Sequence, residues 1–205
     1  MDRKEALKKL QKLKGKDIYN LAEKYDVTVC NKKTGKQNKG WFGHVIEHFL
    51  GLPINSSQSP NFGSWELKTT SLKYLKNGNL VPKETLAITM IDRFEVKLKK
   101  FEDSHLYSKL KKLILVARIV DEKYQNKGLV YDVVSFDLSN KKLLNEIKKD
   151  FNLIKKIIRK EGFDSLSGKF GKYIQPRTKG AGHGSTSRAF YARKNLVKII
   201  LNLEG

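Results

Sequence analysis

The sequence contains little cysteine and no long apolar run, and each shortage excludes a class of protein. Cys30 is the single cysteine among 205 residues, which rules out an internal disulfide and a cysteine-rich zinc site. No apolar stretch approaches the length needed to cross a bilayer. The first residues, M-D-R-K-E-A-L-K-K-L, lack the apolar centre of a signal peptide. We therefore expect a soluble protein of the reducing cytoplasm.

Acidic residues are scarce compared with basic ones. The chain has 21 Asp and Glu against 42 Lys and Arg, a formal charge of +21. Such a charge predicts a polyanionic partner, with nucleic acid the first candidate and an anionic membrane surface the second. The alternative cause is a genomic bias towards lysine. A membrane role is disfavoured because the basic faces lack a matching stripe of exposed aromatic residues.

The stretch W-E-L-K-T at residues 65–69 carries the most informative chemistry. In an extended strand Glu66 and Lys68 share one face, because side chains alternate between the two faces. A carboxylate beside an ammonium is typical of metal-dependent nucleases, in which the acid holds a divalent cation and the lysine orients water. Acid-x-lysine pairs are also common by chance in a lysine-rich chain, so other parts of the sequence must support this interpretation.

A helix is predicted just upstream, from Gly40 onwards, with an apolar stripe that includes Trp41 and Phe49. Glu47 lies within this stripe, and an acid there needs a partner. It is either a paired structural residue or part of a site. His44 and His48 have the spacing of two zinc ligands, but no further ligands follow at metal-site spacing.

The remaining pattern predicts an α/β protein of one domain. Asp2 and Asp17 are expected to begin short helices, and Asn77-Gly78 predicts a hairpin with its return strand at 84–91. A helix is expected to begin at residue 103 or 104. Further expected elements are a central strand at 113–120, a strand at 129–138, and a helix at 141–160 capped by Ser139. Residues 173–187, Y-I-Q-P-R-T-K-G-A-G-H-G-S-T-S, are glycine-rich and basic, which is typical of a mobile loop that becomes ordered in a groove.

In this order the motifs resemble the MutH family of DNA endonucleases, which includes the mismatch-repair nicking enzyme and related type II restriction enzymes, several of which cut GATC. The similar segments are K-G-W-F-G-H-V-I-E-H-F-L-G at 39–51, E-L-K-T at 66–69, S-H-L-Y-S-K-L-K at 104–111, P-R-T-K-G-A at 176–181 and R-A-F-Y-A-R-K-N at 188–195. Each segment could be chance, but the ordered set is specific.

The resemblance implies a restriction-endonuclease-like fold. Its mixed central sheet would be flanked by helices, and a small helical N-terminal lobe would form a DNA-binding cleft. The parts would be an N-terminal helical part at about 1–38, a catalytic core at about 39–160, and a DNA-reading loop with the C-terminal helix at about 161–205. The partner would be double-stranded DNA, together with a second copy of the chain if double-strand cutting needs two.

The resemblance also implies roles for individual residues. Mg²⁺ would be bound by Glu66, by the side chain at position 61 and by the backbone carbonyl of Leu67. Lys68 would orient the attacking water, and Lys109 and Glu47 would complete the catalytic site. DNA contacts would come from Arg177, Lys179, Gly180, His183, Arg188, Tyr191 and Lys194. Of these, Arg177 and Lys179 can donate to guanine edges in the major groove, and Tyr191 is the family position beside the adenine that methylation marks.

The chain departs from the family at one position. It has Asn61, in S-P-N-F, where the family has Asp. An amide brings one negative charge fewer to the metal than a carboxylate does. We therefore expect slow or absent cleavage with DNA binding retained. Asn61 is either an inactivating change or the natural residue of this protein.

Three functions stay open at this stage. The favoured one is a type II restriction endonuclease, and the second is a mismatch-repair nicking enzyme that needs an activating partner. The third is a non-catalytic nucleic-acid-binding protein in which the E-L-K strand is only an exposed sheet edge.

Overall fold

The computed structural model describes residues 1–38, 40–52, 63–120, 128–180 and 186–203. The amino-terminal part contains three helices, α1 (Arg3–Gln11), α2 (Ile18–Lys24) and α3 (Trp41–Phe49). The side chains of Asp2 and Asp17 accept backbone N–H groups at the first turns of α1 and α2, as expected of capping aspartates. The apolar faces of all three helices join one buried cluster, so the expected helical lobe is present.

A four-stranded mixed sheet forms the centre of the molecule. Its strands are β1 (Glu66–Tyr74), β2 (Leu80–Pro82), β4 (Lys112–Ile119) and β5 (Val130–Asp137), in the order β2-β1-β4-β5. β1 runs parallel to β4, whereas the other two pairs are antiparallel. Leu113 and Leu115 of β4 enter one apolar cluster, and Ile114 and Val116 enter the other. Both faces of this strand are therefore buried, as its continuous apolar sequence predicts.

A second, three-stranded antiparallel sheet stands beside the first. It consists of β3 (Leu86–Met90), β6 (Ile174–Thr178) and β7 (Arg188–Ala192), in the order β3-β7-β6. The remaining helices are α4 (Arg93–Leu98), α5 (His105–Leu110), α6 (Lys141–Lys160) and α7 (Lys194–Ile200). Their apolar residues, together with those of this sheet, form the larger core cluster. Within the described ranges, no helix is both long and apolar enough to cross a membrane.

Three expectations about local structure were wrong. The return strand of the Asn77-Gly78 hairpin is only Leu80–Pro82, and the chain then leaves for the second sheet as β3. Pro82 cannot donate a backbone hydrogen bond, which suits the end of an edge strand. The cap of α6 is Asn140, whose side chain accepts the N–H of Leu143, and not Ser139.

The third correction concerns the first part of residues 173–187, which we expected to be a loop; residues 181–185 of that segment lie outside the described residues. Residues 174–178 form β6 and pair with β7 from Ile174↔Ala192 to Thr178↔Arg188. Ile174, Gln175 and Pro176 are buried. The basic, glycine-rich composition hid a strand whose inner residues pack on the core. The two paired strands are named here the β6–β7 hairpin.

Candidate active site

Glu66 and Lys68 lie at the start of β1 with their side chains on the same face. Lys68 Nζ is 2.8 Å from Glu66 Oε1. Glu66 is only 1% exposed, and its strand is held by continuous parallel pairing to β4 from Glu66↔Leu113 onwards. The alternation expected of an extended E-L-K segment therefore brings the two charges into contact. A carboxylate buried this deeply needs cationic or hydrogen-bonding partners.

Lys109 supplies the second cation. It lies on α5, where the Ser104 side chain caps the helix by accepting the N–H of Tyr107. The helix runs directly into β4, which pairs with β1, and this connection carries Lys109 Nζ to 3.3 Å from Glu66 Oε1. Burial lowers the pKa of Lys109, and repulsion from Lys68 acts in the same direction, while Glu66 opposes the shift. The site thus combines one carboxylate with two ammonium groups.

Glu47 lies on α3, which packs on the face of β1 that carries Leu67 and Thr69, opposite to the Glu66 and Lys68 side chains. This helix packs closely on β1, since a Cβ on Gly43 would be 3.7 Å from Thr69 Oγ1. Burial raises the pKa of Glu47, with smaller contributions from nearby His44, Lys68 and Glu66. The charges of Lys68 and Glu66 both act on Glu47, which links it electrostatically to the site. His44 and His48 flank Glu47 on α3.

The backbone of Leu67 presents its carbonyl on the side of β1 away from β4. Further along the strand, the carbonyl of Leu72 accepts from Val120 beyond β4, and that of Ser71 accepts from Lys83 beyond β2. Carbonyls alternate along a regular strand, so Leu67 has the orientation of Ser71. β2 pairs only with Leu72–Tyr74, so it does not reach the start of β1.

The donors at the start of β1 are oxygen atoms, which suit a hard divalent cation. The described residues contain no cluster of three or more His, Cys, Asp or Glu side chains able to hold a metal. Mg²⁺ is commonly bound through one or two carboxylates and keeps several waters. The Glu66 carboxylate and the Leu67 carbonyl are oxygen donors of that kind. Asn61 lies outside the described residues.

The β6–β7 hairpin carries the proposed base-reading residues. Arg177 Nη1 donates to Thr85 Oγ1 at 3.0 Å, and its guanidinium carbon lies 5.7 Å from the centre of the Tyr191 ring. Burial raises the pKa of Tyr191, while Arg177 lowers it and Glu84 raises it further. Arg177 and Tyr191 are therefore neighbours, and Glu84 and Thr85 belong to the same surface. Glu84 and Thr85 lie between two short strands and carry no motif signal in the sequence.

Lys179 connects this hairpin with the carboxylate. Its pKa is lowered by partial burial first and then by the positive charges of Lys68 and Lys109. The charges of Lys68 and Lys109 act on Lys179, which links it electrostatically to the Glu66 cluster. Next to it, Gly180 has φ of 147°, a backbone conformation that favours glycine.

The other expected DNA-binding residues are more dispersed. Arg188 Nη1 donates to the carbonyls of Thr186 and Ser187 at the start of β7. Lys194 is exposed at the first residue of α7, at the far end of β7 from Arg188. The structure does not bring it together with Lys179. His183, like Lys39 of the first motif, lies outside the described residues.

The base of the hairpin is clamped by two residues that the sequence analysis did not single out. The buried Asp150 carboxylate of α6 accepts the N–H groups of Lys172, Tyr173 and Ile174 at 2.7–2.8 Å. Arg193, just after β7, donates to the carbonyls of Gly168, Phe170 and Gly171. Asp150 interrupts an apolar helix stripe, and that pattern is the signal that could have identified it.

Comparison with known proteins decides the family. Residues 50–150, which include β1, α5, β4 and the first half of α6, match the family model described as "DNA mismatch repair enzyme MutH". The chain belongs to the MutH family of endonucleases. The expected family and the restriction-endonuclease-like α/β fold are thus confirmed.

Individual relatives of this MutH-family chain include a restriction enzyme and repair proteins. The type II restriction enzyme Sau3AI of Staphylococcus aureus is 28% identical over 161 residues, which are 77% of this chain and 33% of that enzyme. The chain therefore spans about a third of the restriction enzyme's length. The DNA mismatch repair protein MutH of Vibrio campbellii is 24% identical over 202 residues, 96% of this chain and 85% of that protein. MutH of Haemophilus ducreyi is 24% identical over 219 residues, 96% and 92% of the two chains.

Proposed function

We propose that this chain is a Mg²⁺-dependent, sequence-specific endonuclease of double-stranded DNA, of the type II restriction kind. The observation that carries the proposal is the convergence of Lys68 and Lys109 on one oxygen of the buried Glu66 carboxylate. The electrostatic coupling of Lys179 to both lysines connects this group with the β6–β7 hairpin. Hydrolysis of a phosphodiester uses a combination of charges of this kind. Sequence specificity needs, in addition, a surface that contacts the bases.

Each residue has a distinct part in the proposed reaction. Glu66 and the Leu67 carbonyl would hold Mg²⁺, which supplies a Lewis acid that eases deprotonation of water and offsets phosphate charge. Lys68 would orient the attacking water in line with the scissile bond. Lys109, held close by burial, would offset the negative charge that develops on the phosphate. Glu47, whose pKa burial raises, would be available to take up or return a proton.

Sequence recognition would come from the hairpin and the adjacent β2–β3 connection. Arg177 can donate in a bidentate manner to guanine O6 and N7, and a carboxylate such as Glu84 can accept from cytosine N4. Tyr191, packed beside Arg177, would contact the base at which methylation is sensed. The site we propose is GATC or a related short sequence. The many surface lysines would add affinity through phosphate contacts, independently of sequence.

Asn61 would limit the rate of this form. One negative charge is missing at the metal when the amide replaces a carboxylate, so cation affinity and water activation both decline. The expected protein binds its DNA target and cleaves it slowly or not at all.

The test is to digest a plasmid with the Asn61→Asp protein and Mg²⁺, and to sequence the ends. We expect cleavage of both strands at one short sequence, at a higher rate than with the unaltered chain. Unchanged activity on introducing the aspartate would contradict the assignment of this site. Ends scattered over unrelated sequences would contradict the proposed reading role of the hairpin.

A mismatch-repair nicking role is the second candidate, and the lengths of the relatives favour it. The chain covers 85% and 92% of the two repair proteins described above but 33% of the restriction enzyme. In the same digestion, a nicking enzyme would convert supercoiled plasmid to open circles and stop there unless a partner protein were added. Linear product formed without a partner favours the restriction role.

A non-catalytic DNA-binding protein is the third candidate, and Asn61 is the feature that favours it. Adding Glu66→Ala to the cleaving Asn61→Asp protein separates this candidate from both enzymes. Cleavage that persists in the double variant would mean that Glu66 is no part of an active site.

A further inference from the structure

A cavity separates the β6–β7 hairpin from the beginning of α4, away from the Glu66 cluster. Its volume is about 470 Å³, and its walls include Arg93, Phe94, Phe163, Asp164, Thr186 and Arg188. The assigned base-reading residues Arg177 and Tyr191 do not line it. One wall nevertheless belongs to the strand that carries Tyr191.

The position of α4 beside the hairpin is fixed by backbone pairing. β3 pairs with β7 as far as Met90↔Ala189, and the Ile91 N–H donates to the Arg188 carbonyl at 2.9 Å. The Asp92 carboxylate then accepts the N–H groups of Phe94 and Glu95 at 2.8 and 3.0 Å, which starts the helix. The chain therefore has little freedom between the end of the sheet and Phe94.

Phe94 is exposed although an apolar core lies close by. It is 64% exposed, and the Arg93 guanidinium carbon lies 4.9 Å from its ring centre. An exposed aromatic ring with a guanidinium over it provides an apolar surface and a cation together. That combination suits the deoxyribose and phosphate of a nucleic-acid backbone.

The charges of the cavity indicate what kind of contact it can make. The cavity lining has two positive residues, Arg93 and Arg188, and two negative ones, Asp92 and Asp164. The cavity itself therefore carries no excess of positive charge. The Asp92 carboxylate already accepts two backbone N–H groups. Beyond the cavity, Lys97 and Arg159 add positive charge, and the Arg159 guanidinium donates to the Lys97 carbonyl. The wider field attracts a polyanion, while the cavity offers it contact and position.

We infer that this cavity receives the DNA backbone immediately outside the recognition sequence. The inference rests on the proposed function, since a duplex read by the hairpin must continue past one of its sides. Phe94 would pack against a sugar, and Arg93 would contact the adjacent phosphate. The occupant is thus the flank of the same duplex, and the contact adds affinity only when that flank is present.

The experiment compares two duplexes centred on the sequence identified from the plasmid ends. One ends at the edges of the recognition sequence and is closed at both ends by short non-nucleotide linkers, so that it stays double-stranded. The other extends about ten base pairs on each side, roughly 34 Å of extra duplex per side. Binding is measured by fluorescence anisotropy without added metal, so that the DNA stays intact. The variants are Phe94→Ala and Arg93→Gln. Phe94 is well exposed, so its truncation leaves the core intact.

The chain offers a matched control for each variant. Leu98 lies one turn further along α4, is 81% exposed and does not line the cavity. Lys100 is an exposed cation just beyond the helix. Leu98→Ala and Lys100→Gln therefore remove similar groups from the same surface without touching the cavity.

We expect Phe94→Ala and Arg93→Gln each to weaken binding of the long duplex about fivefold, the scale of a contributing interface contact. The short duplex should bind all five proteins alike, and the two controls should match the unaltered protein. Equal losses on both duplexes, or a loss with Leu98→Ala as large as with Phe94→Ala, would overturn the inference. A change of oligomeric state in the DNA-free protein on Phe94→Ala would also overturn it, since the surface would then be a contact between copies.

Failure of the proposed function gives a different result. In that case the unaltered protein would bind a scrambled short duplex as well as the target. Loss of only the flank effect, with target preference intact, would overturn the cavity inference alone.

Discussion

Lys109 and Lys68 share a single oxygen of Glu66, at 3.3 and 2.8 Å from Oε1. The two lysines come from different elements, α5 and β1, yet meet a carboxylate that is almost fully buried. Without Glu66, two ammonium groups would face each other at low dielectric. The carboxylate is therefore a structural requirement of the site as well as its proposed metal ligand.

This arrangement predicts an energetic coupling between Glu66 and Lys109. Glu66→Gln should lower the free energy of unfolding by about 3 kcal/mol, because it leaves a buried cation without its counter-charge. Lys109→Met in the same protein should recover much of that loss by removing the orphaned charge. Chemical denaturation of both single variants and the double variant completes the cycle. Strictly additive losses would mean that the two side chains do not depend on each other.

Asp150 is predicted to stabilise the fold at the base of the β6–β7 hairpin. Its carboxylate accepts three consecutive backbone N–H groups just before and at the start of β6. Asp150→Ala removes this acceptor and leaves the three N–H groups without it. The free energy of unfolding should fall by about 3 kcal/mol, at the upper end for unsatisfied buried donors. Gly171 contributes to the same turn, with φ of +82° and the Ile174 carbonyl where a Cβ would stand.

Glu146→Gln is the matched control for Asp150. Glu146 lies one turn earlier on α6 and forms surface ion pairs with Lys149 and Lys172. Its removal should leave the denaturation midpoint almost unchanged. A loss comparable with that of Asp150→Ala would show that the clamp is not specific to the buried carboxylate.

Variants of residues that contact bases and variants of residues that contact phosphates should differ in sequence discrimination and in salt dependence of binding. Arg177→Ala should reduce discrimination between the target and its single-base variants by about 1–3 kcal/mol. Lys141→Gln with Lys142→Gln, on the exposed start of α6, should instead weaken binding of all sequences alike. Titrations at several salt concentrations should then show a salt slope shallower by up to about 2. If both kinds of variant lose discrimination equally, the hairpin is not the reader.

Lys179 predicts a decline in DNA affinity at alkaline pH. Partial burial and the neighbouring Lys68 and Lys109 lower its pKa, so it loses its positive charge at a lower pH than an ordinary lysine does. Affinity should therefore fall as pH rises through that lowered pKa. Lys179→Arg stays protonated and should bind with little decline up to the range where surface lysines titrate, roughly pH 10. Binding curves between neutral pH and that limit test this, and identical profiles would contradict it.

The sequence was most informative where local chemistry and periodicity agree. The alternation of Glu66 and Lys68, the caps at Asp2 and Asp17, and the two-sided burial of β4 all follow from short-range rules. The start expected at residue 103 or 104 likewise located the helix that carries Lys109, and the structure shows Ser104 to be its cap. Residue spacing alone did not show that Lys109 reaches Glu66. That assignment came from the resemblance to the MutH family, and the geometry now gives it a physical basis.

The rest depended on contacts between distant parts of the chain. Pairing of β3 with β7 takes residues 86–90 out of the expected hairpin and puts Thr85 next to Arg177. Burial of Ile174 turns an apparently loop-like segment into a strand. Electrostatic coupling of Lys179 to Lys68 and Lys109 depends on the packing of two sheets. No local pattern encodes these long-range relationships.

The most direct test of the catalytic account is the single-turnover cleavage rate of Asn61→Asp with Mg²⁺, compared with the same protein carrying Glu66→Ala. The account predicts a loss of about a hundredfold or more, which corresponds to roughly 3 kcal/mol of transition-state stabilisation. DNA binding should persist, since the hairpin is unchanged. Undiminished cleavage in the double variant would contradict the account.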